Sequence, residues 1–314
     1  MKKVIVMAGI GLLSLGVSAG PITFKGAEDA SAIIFGDYNG RYNDSQGALY
    51  IGGNANINNY SVGTQLSDSS LGMFVGGNLS MKGGDVKGSV SVNGKSKFKN
   101  THLPNQSTEQ VNLDKSYYED LSKSLSEKQT TDSRYSWGRK IFSSTDDQAT
   151  AYLQTSPSEL SWVWGLFTEG LDSDTRLIVN ISGSDIYMGG KDWLFKDINY
   201  DFSFDSENVL FNFYEAESLT VAGGVYGSIL APNADVFGNY GHINGQLIAN
   251  SFDGSTQLNY APFNVDKEIE FPSGSIEDKP TEVSEPATFG FFAGACILMV
   301  GSSLRRNSKK SAVV

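Results

Sequence analysis

Thiol and imidazole chemistry are nearly absent from this sequence. Its one cysteine, Cys296, excludes an internal disulfide and any site built from several thiolates. There are two histidines, His102 and His242, and nothing in their spacing sets either beside a nucleophile. No phosphate-binding glycine loop and no HExxH motif occurs. The only Gly-x-Ser-x-Gly, residues 16–20, falls in the N-terminal apolar run, where a nucleophile elbow cannot form. No catalytic residue is assigned. Charged residues are only 19% of the 314, and the net charge is −11, so nucleic acid and anionic lipid are poor partners.

What is present is a turn-rich β composition, with 35 glycines and 11% aromatics, too apolar for a disordered chain. Residues 224–252 repeat at an offset of 18. Val225-Tyr226-Gly227-Ser228-Ile229-Leu230-Ala231 aligns with Ile243-Asn244-Gly245-Gln246-Leu247-Ile248-Ala249. Short apolar runs bounded by Gly, Asn and Pro read as buried strands, and their fixed period predicts a solenoid of stacked coils. A second pair, residues 50–57 and 74–81, matches at an offset of 24 as aromatic, β-branched, Gly-Gly-Asn, then alternation. Residues 47–51 and 88–92 echo the same rung.

Between these blocks the period changes. Ser107 and Gln110 have capping-box spacing, and Leu113, Tyr117, Leu121 and Leu125, with Tyr118 beside them, form one stripe, predicting an amphipathic helix of about five turns over residues 107–129. Glu119 and Lys123 are an i,i+4 pair. Such a helix is no rung and is expected to pack alongside the β stack. Residues 161–167 read as a strand whose three large aromatics seal one end of the stack. Residues 176–181 and 209–214 are further strands.

The ends read as addresses. Lys2 and Lys3, the apolar run 4–17 and small residues before Ala19 predict a signal peptide over 1–19, cleaved between Ala19 and Gly20. The run is short for a membrane anchor, the alternative reading. Residues 20–270 then form the β domain and 271–283 a Pro/Ser/acidic linker. Residues 287–304 are long enough to span a bilayer, and Arg305, Arg306, Lys309 and Lys310 keep that end cytoplasmic. Without the six terminal bases, 18 bases face 35 acids, a balance of −17.

Candidate ligand groups are few. Asp37, Asn39, Asn43 and Asp44 form an oxygen-rich loop suited to Ca²⁺, although they lack EF-hand spacing and solvated turns use the same residues. Tyr42, Tyr60 and Tyr240, beside Gly-Asn turns, are candidate ligand contacts; packed corner aromatics would carry the same pattern. Asp37, Asp44, Glu215, Glu217 and Asp235 supply carboxylates for a glycoside-cleaving pair, against the reading of turn residues. Ice binding needs a regular face, and no Thr-x-Thr array recurs on successive rungs.

The front block, FGDYNGRYNDSQGALYIGGNANINNYSVG followed by FVGGNLSMKGGDVKGSV, resembles the choice-of-anchor A family of bacterial surface proteins. So does the back block, VLFNFYEAESLTVAGGVYGSILAPNADVFGNYGHINGQLIANSF. The likeness spans residues 22–263 and implies an adhesin-like domain. The back block also resembles the microbial ice-binding domain, which implies a discontinuous β-solenoid with one long helix alongside. The C-terminal order of short motif (Ser284-Glu285-Pro286), apolar span and basic tail resembles the PEP-CTERM sorting signal, with Ser284 replacing the motif's first proline. That resemblance implies processing by an exosortase in a Gram-negative bacterium that makes exopolysaccharide. The expectation is therefore a secreted, surface-anchored, non-catalytic adhesin or matrix protein, exported across the inner membrane, with a glycan or protein partner and no cofactor. An extracellular polysaccharide-active enzyme and an ice-binding protein are the alternatives.

Overall fold

Strands of four or five residues cannot bury both their faces alone, so the chain stacks them. The computed structural model describes residue 22 and residues 24–26, 29–102, 104–128, 131–144 and 149–265. The expected signal peptide with its Ala19–Gly20 junction, the linker, the span 287–304 and the motif Ser284-Glu285-Pro286 lie outside these residues. Among the described residues, no helix is long and apolar enough to cross a membrane.

The chain is mainly β, and the stack is parallel throughout, with three faces per coil. The first face runs in space from Thr150–Thr155 through Arg176–Ile181 and Val209–Asn212 to Ser228–Asn244 and Leu247–Gly254. There the N-terminal strand Ala30–Ile34 joins it, followed by Ala48–Ile51, Leu71–Val75, Ser89–Val92 and Asn105–Gln106. The second face carries Asp185–Gly189, Ser218–Tyr226 and the later residues of Ser228–Asn244 and Leu247–Gly254. It continues through Tyr38–Arg41, Ala55–Asn58, Leu79–Lys82 and Ser96–Lys99. A short third face pairs residues 242–244 with Gln257–Asn259. The solenoid is thus discontinuous, its N-terminal coils laid onto its C-terminal one.

Both sequence offsets are registers. Tyr226 pairs with Asn244 and Val225 with Ile243, at 18; Tyr50 pairs with Phe74 and Ile57 with Met81, at 24. First-face strands such as Ala30–Ile34 and Leu71–Val75 are buried at every position, whereas Leu79–Lys82 alternates. The reason is that only the first face is covered on its outer side. The Gly-Gly-Asn corners close the coils. Gly53 and Gly77 approach the preceding backbone so closely that a Cβ on Gly77 would sit 2.7 Å from the Gly53 carbonyl oxygen. Beside them runs an amide ladder. Asp37 Oδ1 accepts from Asn54 N and Nδ2 (2.7 and 3.1 Å), and Asn54 Oδ1 accepts likewise from Asn78 (3.0 and 3.1 Å). Asn78 Oδ1 ends the ladder on Lys95 N at 2.9 Å.

The covering element is the helix Lys115–Ser126, which packs on the first face but is shorter than the spacing predicts. Asp114 caps it, its Oδ1 accepting from Tyr117 N at 3.1 Å. Ser107 is unavailable as a cap because its backbone N–H bonds Val90 O, continuing a rung. Gln110 reaches Asn93 rather than turning back. The buried positions are Tyr118, Ser122 and Leu125: Leu125 of the predicted stripe and Tyr118 beside it are buried, whereas Leu113, Tyr117 and Leu121 are half-buried.

One outward row of the first face explains the docking. Its register is Gln154–Asn180–Asn212–Leu230–Ile248–Ile33–Tyr50–Phe74. The apolar members pack in one cluster with Tyr118 and Leu125. The three amides bind the helix's C-terminal backbone: Asn212 Nδ2 to Ser122 O at 2.8 Å, Asn180 Nδ2 to Leu125 O at 2.9 Å, and Gln154 Nε2 to Ser126 O at 2.7 Å. These carbonyls need partners, and buried amides supply them.

A second, four-stranded sheet, Asp132–Ser136, Arg139–Ser143, Gly165–Glu169 and Phe195–Asp197, is separate from the coils in pairing. Its inner residues Phe142, Leu166 and Phe195 enter the solenoid core, where Phe195 lies 6.1 Å from the ring of Phe211. Its parallel strands fall one to each C-terminal coil and cap the open side of those coils. The expected strand at 161–167 begins only at Gly165, and Trp162 and Trp164 face outward; of the three aromatics expected to seal the end, only Phe167 is buried.

Asn212→Ala leaves Ser122 Oγ, Ser122 O and Asn180 Oδ1 without their common partner. The expected loss is about 2–3 kcal/mol in denaturant unfolding, well above that of the exposed ladder variant Asn54→Ala; equal losses would refute this account of helix docking.

Candidate functional site

The predicted site residues divide. Tyr42 (67% exposed) and Tyr240 (55%) stand in solvent, Tyr42 at a positive φ of 57°. Tyr60 does not join them. It is fully buried, edge-on to Tyr38 at 6.1 Å, because the corner turns its ring inward.

The proposed calcium ligands do not converge. Asp37 heads the amide ladder, Asn39 faces outward between Asn56 and Asp253, Asn43 Nδ2 donates to Ser255 O at 2.7 Å, and Asp44 pairs with Ser61 on the third face. The intervening strand Tyr38–Arg41 alone spans roughly 13 Å. Among the described residues, no three His, Cys, Asp or Glu side chains are grouped to hold a metal.

The candidate carboxylates hold neighbouring strands and turns in place. Asp235 Oδ1 accepts from Ser251 Oγ at 2.6 Å and Asn250 Nδ2 at 2.8 Å, which holds its carboxyl below the usual range, the wrong direction for a general acid. Glu215 Oε2 accepts from Gly183 N at 3.0 Å. His102 Nδ1 lies 3.0 Å from Asp85 Oδ1 beside open depressions of about 350 and 470 Å³, and this contact lowers the Asp85 carboxyl. His242 is edge-on to Tyr226 on another coil.

The outer surface of the second face is irregular. One complete outward row reads Tyr187–Thr220–Phe237–Asp253–Asn39–Asn56–Ser80–Lys97. Its mixture of rings, acids, amides and a lysine offers no repeating hydroxyl lattice.

The distinctive surface is on the cap sheet, and the sequence reading missed its role. Asp132–Ser136 and Arg139–Ser143 are joined by the two-residue turn Trp137-Gly138, with φ of 50° and 73°. Both are left-handed, the signature of a tight hairpin turn that ordinarily takes Asn-Gly. Trp137 is 91% exposed, Trp162 86% and Trp164 54%; Trp193, the fourth tryptophan, is buried. Trp164 binds the turn twice, Nε1 to Trp137 O at 3.0 Å and N to Gly138 O at 2.9 Å. Below it the Arg139 guanidinium sits 5.5 Å from the Trp164 ring and 5.1 Å from those of Phe167 and Tyr200. On the opposite side of that strand Lys140 is buried, 3.4 Å from Glu159 and over the Tyr135 ring. The available signal was a Trp-Gly pair flanked by alternating residues, which reads as a hairpin once Trp is admitted to the asparagine position.

A family model described as "Putative Ice-binding-like adhesive domain" matches residues 23–260. Comparison with the curated proteins and with the solved structures gives no match.

Burial pushes the Tyr38 phenol well above its ordinary 10.0; at Tyr60 burial does the same, with Tyr38 and Asp44 adding to it. Above pH 10 the unfolded chain therefore releases protons that the folded chain keeps, so stability is full below that pH and falls above it. The expected slope is about 1.4 kcal/mol per pH unit for each phenol. The Tyr135 and Tyr214 phenols are raised by burial as well, so Tyr60→Phe should reduce this alkaline slope by about one phenol's share, not abolish it, in unfolding midpoints measured on either side of pH 10; an unchanged slope would sink the assignment.

Proposed function

Because the chain belongs to the family of ice-binding-like adhesive domains, we propose that it is a non-catalytic adhesin or matrix protein acting at the cell surface. Its partner is an extracellular glycan or a surface protein. The observation that carries this reading is the cap: three exposed tryptophans held on a rigid β stack whose interior is sealed beneath them. Exposed aromatics of this size add nothing to a core and are the usual anchors of a binding surface. The ladder and turn duties of Asp37, Asp235 and Glu215 speak against the polysaccharide-cleaving alternative, and the mixed second-face row against ice.

The likeness of both blocks to the choice-of-anchor A family supports the same reading. So do the predicted signal peptide and the Ser284-Glu285-Pro286 motif with its apolar and basic tail. On this view the chain is exported across the inner membrane of a Gram-negative bacterium and processed by an exosortase.

The test uses residues 20–283, which contain every described residue, incubated with the producer's exopolysaccharide and whole cells. Saturable retention without new reducing ends or unsaturated products is expected. Released sugar ends would make the protein an enzyme, and absence of both retention and cleavage would overturn the adhesive reading.

A further inference from the structure

Trp137 occupies a position that opposes it. A bulky side chain in the left-handed region is strained, asparagine or glycine would adopt the turn more readily, and at 91% exposure the indole returns almost no burial. A residue that costs the fold and gives it nothing points to a ligand. Against it stands Trp164, 54% exposed and fixed by its bonds to the Trp137-Gly138 backbone. The platform is preorganised, so a ligand need not order it.

Arg139 supplies the polar element. Among the described residues its guanidinium has no carboxylate and no hydrogen-bond acceptor; its neighbours are the rings of Trp164, Phe167 and Tyr200. By contrast Arg41 and Arg134 are both paired, with Asp253 at 2.6 Å and Glu169 at 3.0 Å. A planar donor group stacked among aromatics, with apolar platforms at its side, matches a ligand that has an apolar face and a hydroxylated rim. A hexopyranose has both: its axial C–H bonds carry partial positive charge toward the negative face of an indole, and its equatorial hydroxyls accept from a guanidinium. The chain's net charge of −11 repels a polyanion and selects an uncharged sugar.

We propose that the Trp137–Trp164 platform with Arg139 is a binding site for a neutral, equatorially hydroxylated hexopyranose polysaccharide. This inference rests on the adhesive reading above and names its ligand and its site.

The test uses the full chain in a polyoxyethylene detergent, since glycoside detergents carry the candidate ligand. Intrinsic tryptophan fluorescence is titrated with β-linked gluco-, manno- and galacto-hexasaccharides, and with polygalacturonate as the anionic arm. Saturable change with at least one neutral hexasaccharide, unaltered between roughly 0.05 and 0.5 M salt, is the expected result. Trp137→Asn is expected to weaken that binding at least tenfold while raising the melting temperature, because it relieves the turn. Arg139→Gln should weaken it several-fold, and Tyr240→Ser should leave it unchanged. The proposal is overturned if no neutral hexasaccharide binds, if polygalacturonate alone binds with steep salt dependence, or if Trp137→Asn binds like the parent. Whole-cell retention separates the two readings. A Trp137→Asn chain retained as well as the parent removes this site and leaves the adhesive function standing, whereas a parent chain that is not retained removes the adhesive function itself.

Discussion

Six residue pairs join the two halves of the solenoid: Ala32–Leu247, Ile33–Ile248 and Ile34–Ala249 on the first face, and Tyr38–Phe252, Asn39–Asp253 and Gly40–Gly254 on the second. They are more than two hundred residues apart in sequence, yet they complete both faces, and those on the first align the row on which the helix lies. Gln246 reinforces the seam, donating to Ala30 O at 3.1 Å and accepting from Phe263 N at 3.1 Å. Closing so long a loop is entropically slow. The N-terminal coils can stack on one another locally, but their innermost strand stays an open edge until the C-terminal coil arrives to pair with it.

The coils were legible because a solenoid writes its register into the chain as a period. Offsets of 18 and 24 needed no three-dimensional information, and the glycine corners marked the turns. The discontinuous order was legible as well, since similar rungs stand at both ends of the sequence with a helical pattern between them. The helix start was misread because Ser107 satisfies a capping-box spacing while its backbone belongs to a rung. That competition is decided by strand pairing, which one sequence does not display.

Tyr60 and the cap were less legible for a related reason. Tyr42 and Tyr60 stand beside similar Gly and Asn residues, but one corner turns its ring out and the other turns it in. The cap sheet repeats in register but not in residue type: Arg139–Ser143 pairs in parallel with Gly165–Glu169 at an offset of 26, the same as Thr150–Thr155 on Arg176–Ile181, but across a stretch of other structure and with no shared sequence pattern. Its exposed tryptophans resemble core residues by composition. The exposed chemistry differs along the stack: aromatics on the cap beside the C-terminal coils, and on the outermost N-terminal coils the edge strand Ser96–Lys99, with Lys97 and Lys99 exposed on it. Lysines on an open edge discourage strand addition by another chain.

The mid-stack seam also sets how the molecule carries tension. Phe24 and Phe263 stack at 5.6 Å, so the first and last described segments leave the solenoid side by side, near the junction of its halves. A pull between residue 265 and the cap runs through the coils from Thr150–Thr155 to Gln257–Asn259 and bypasses the N-terminal coils, which are loaded only through their lateral pairing. Those coils then act as a passive splint on the stressed segment, and their detachment, rather than extension of the chain, would be the first mechanical failure.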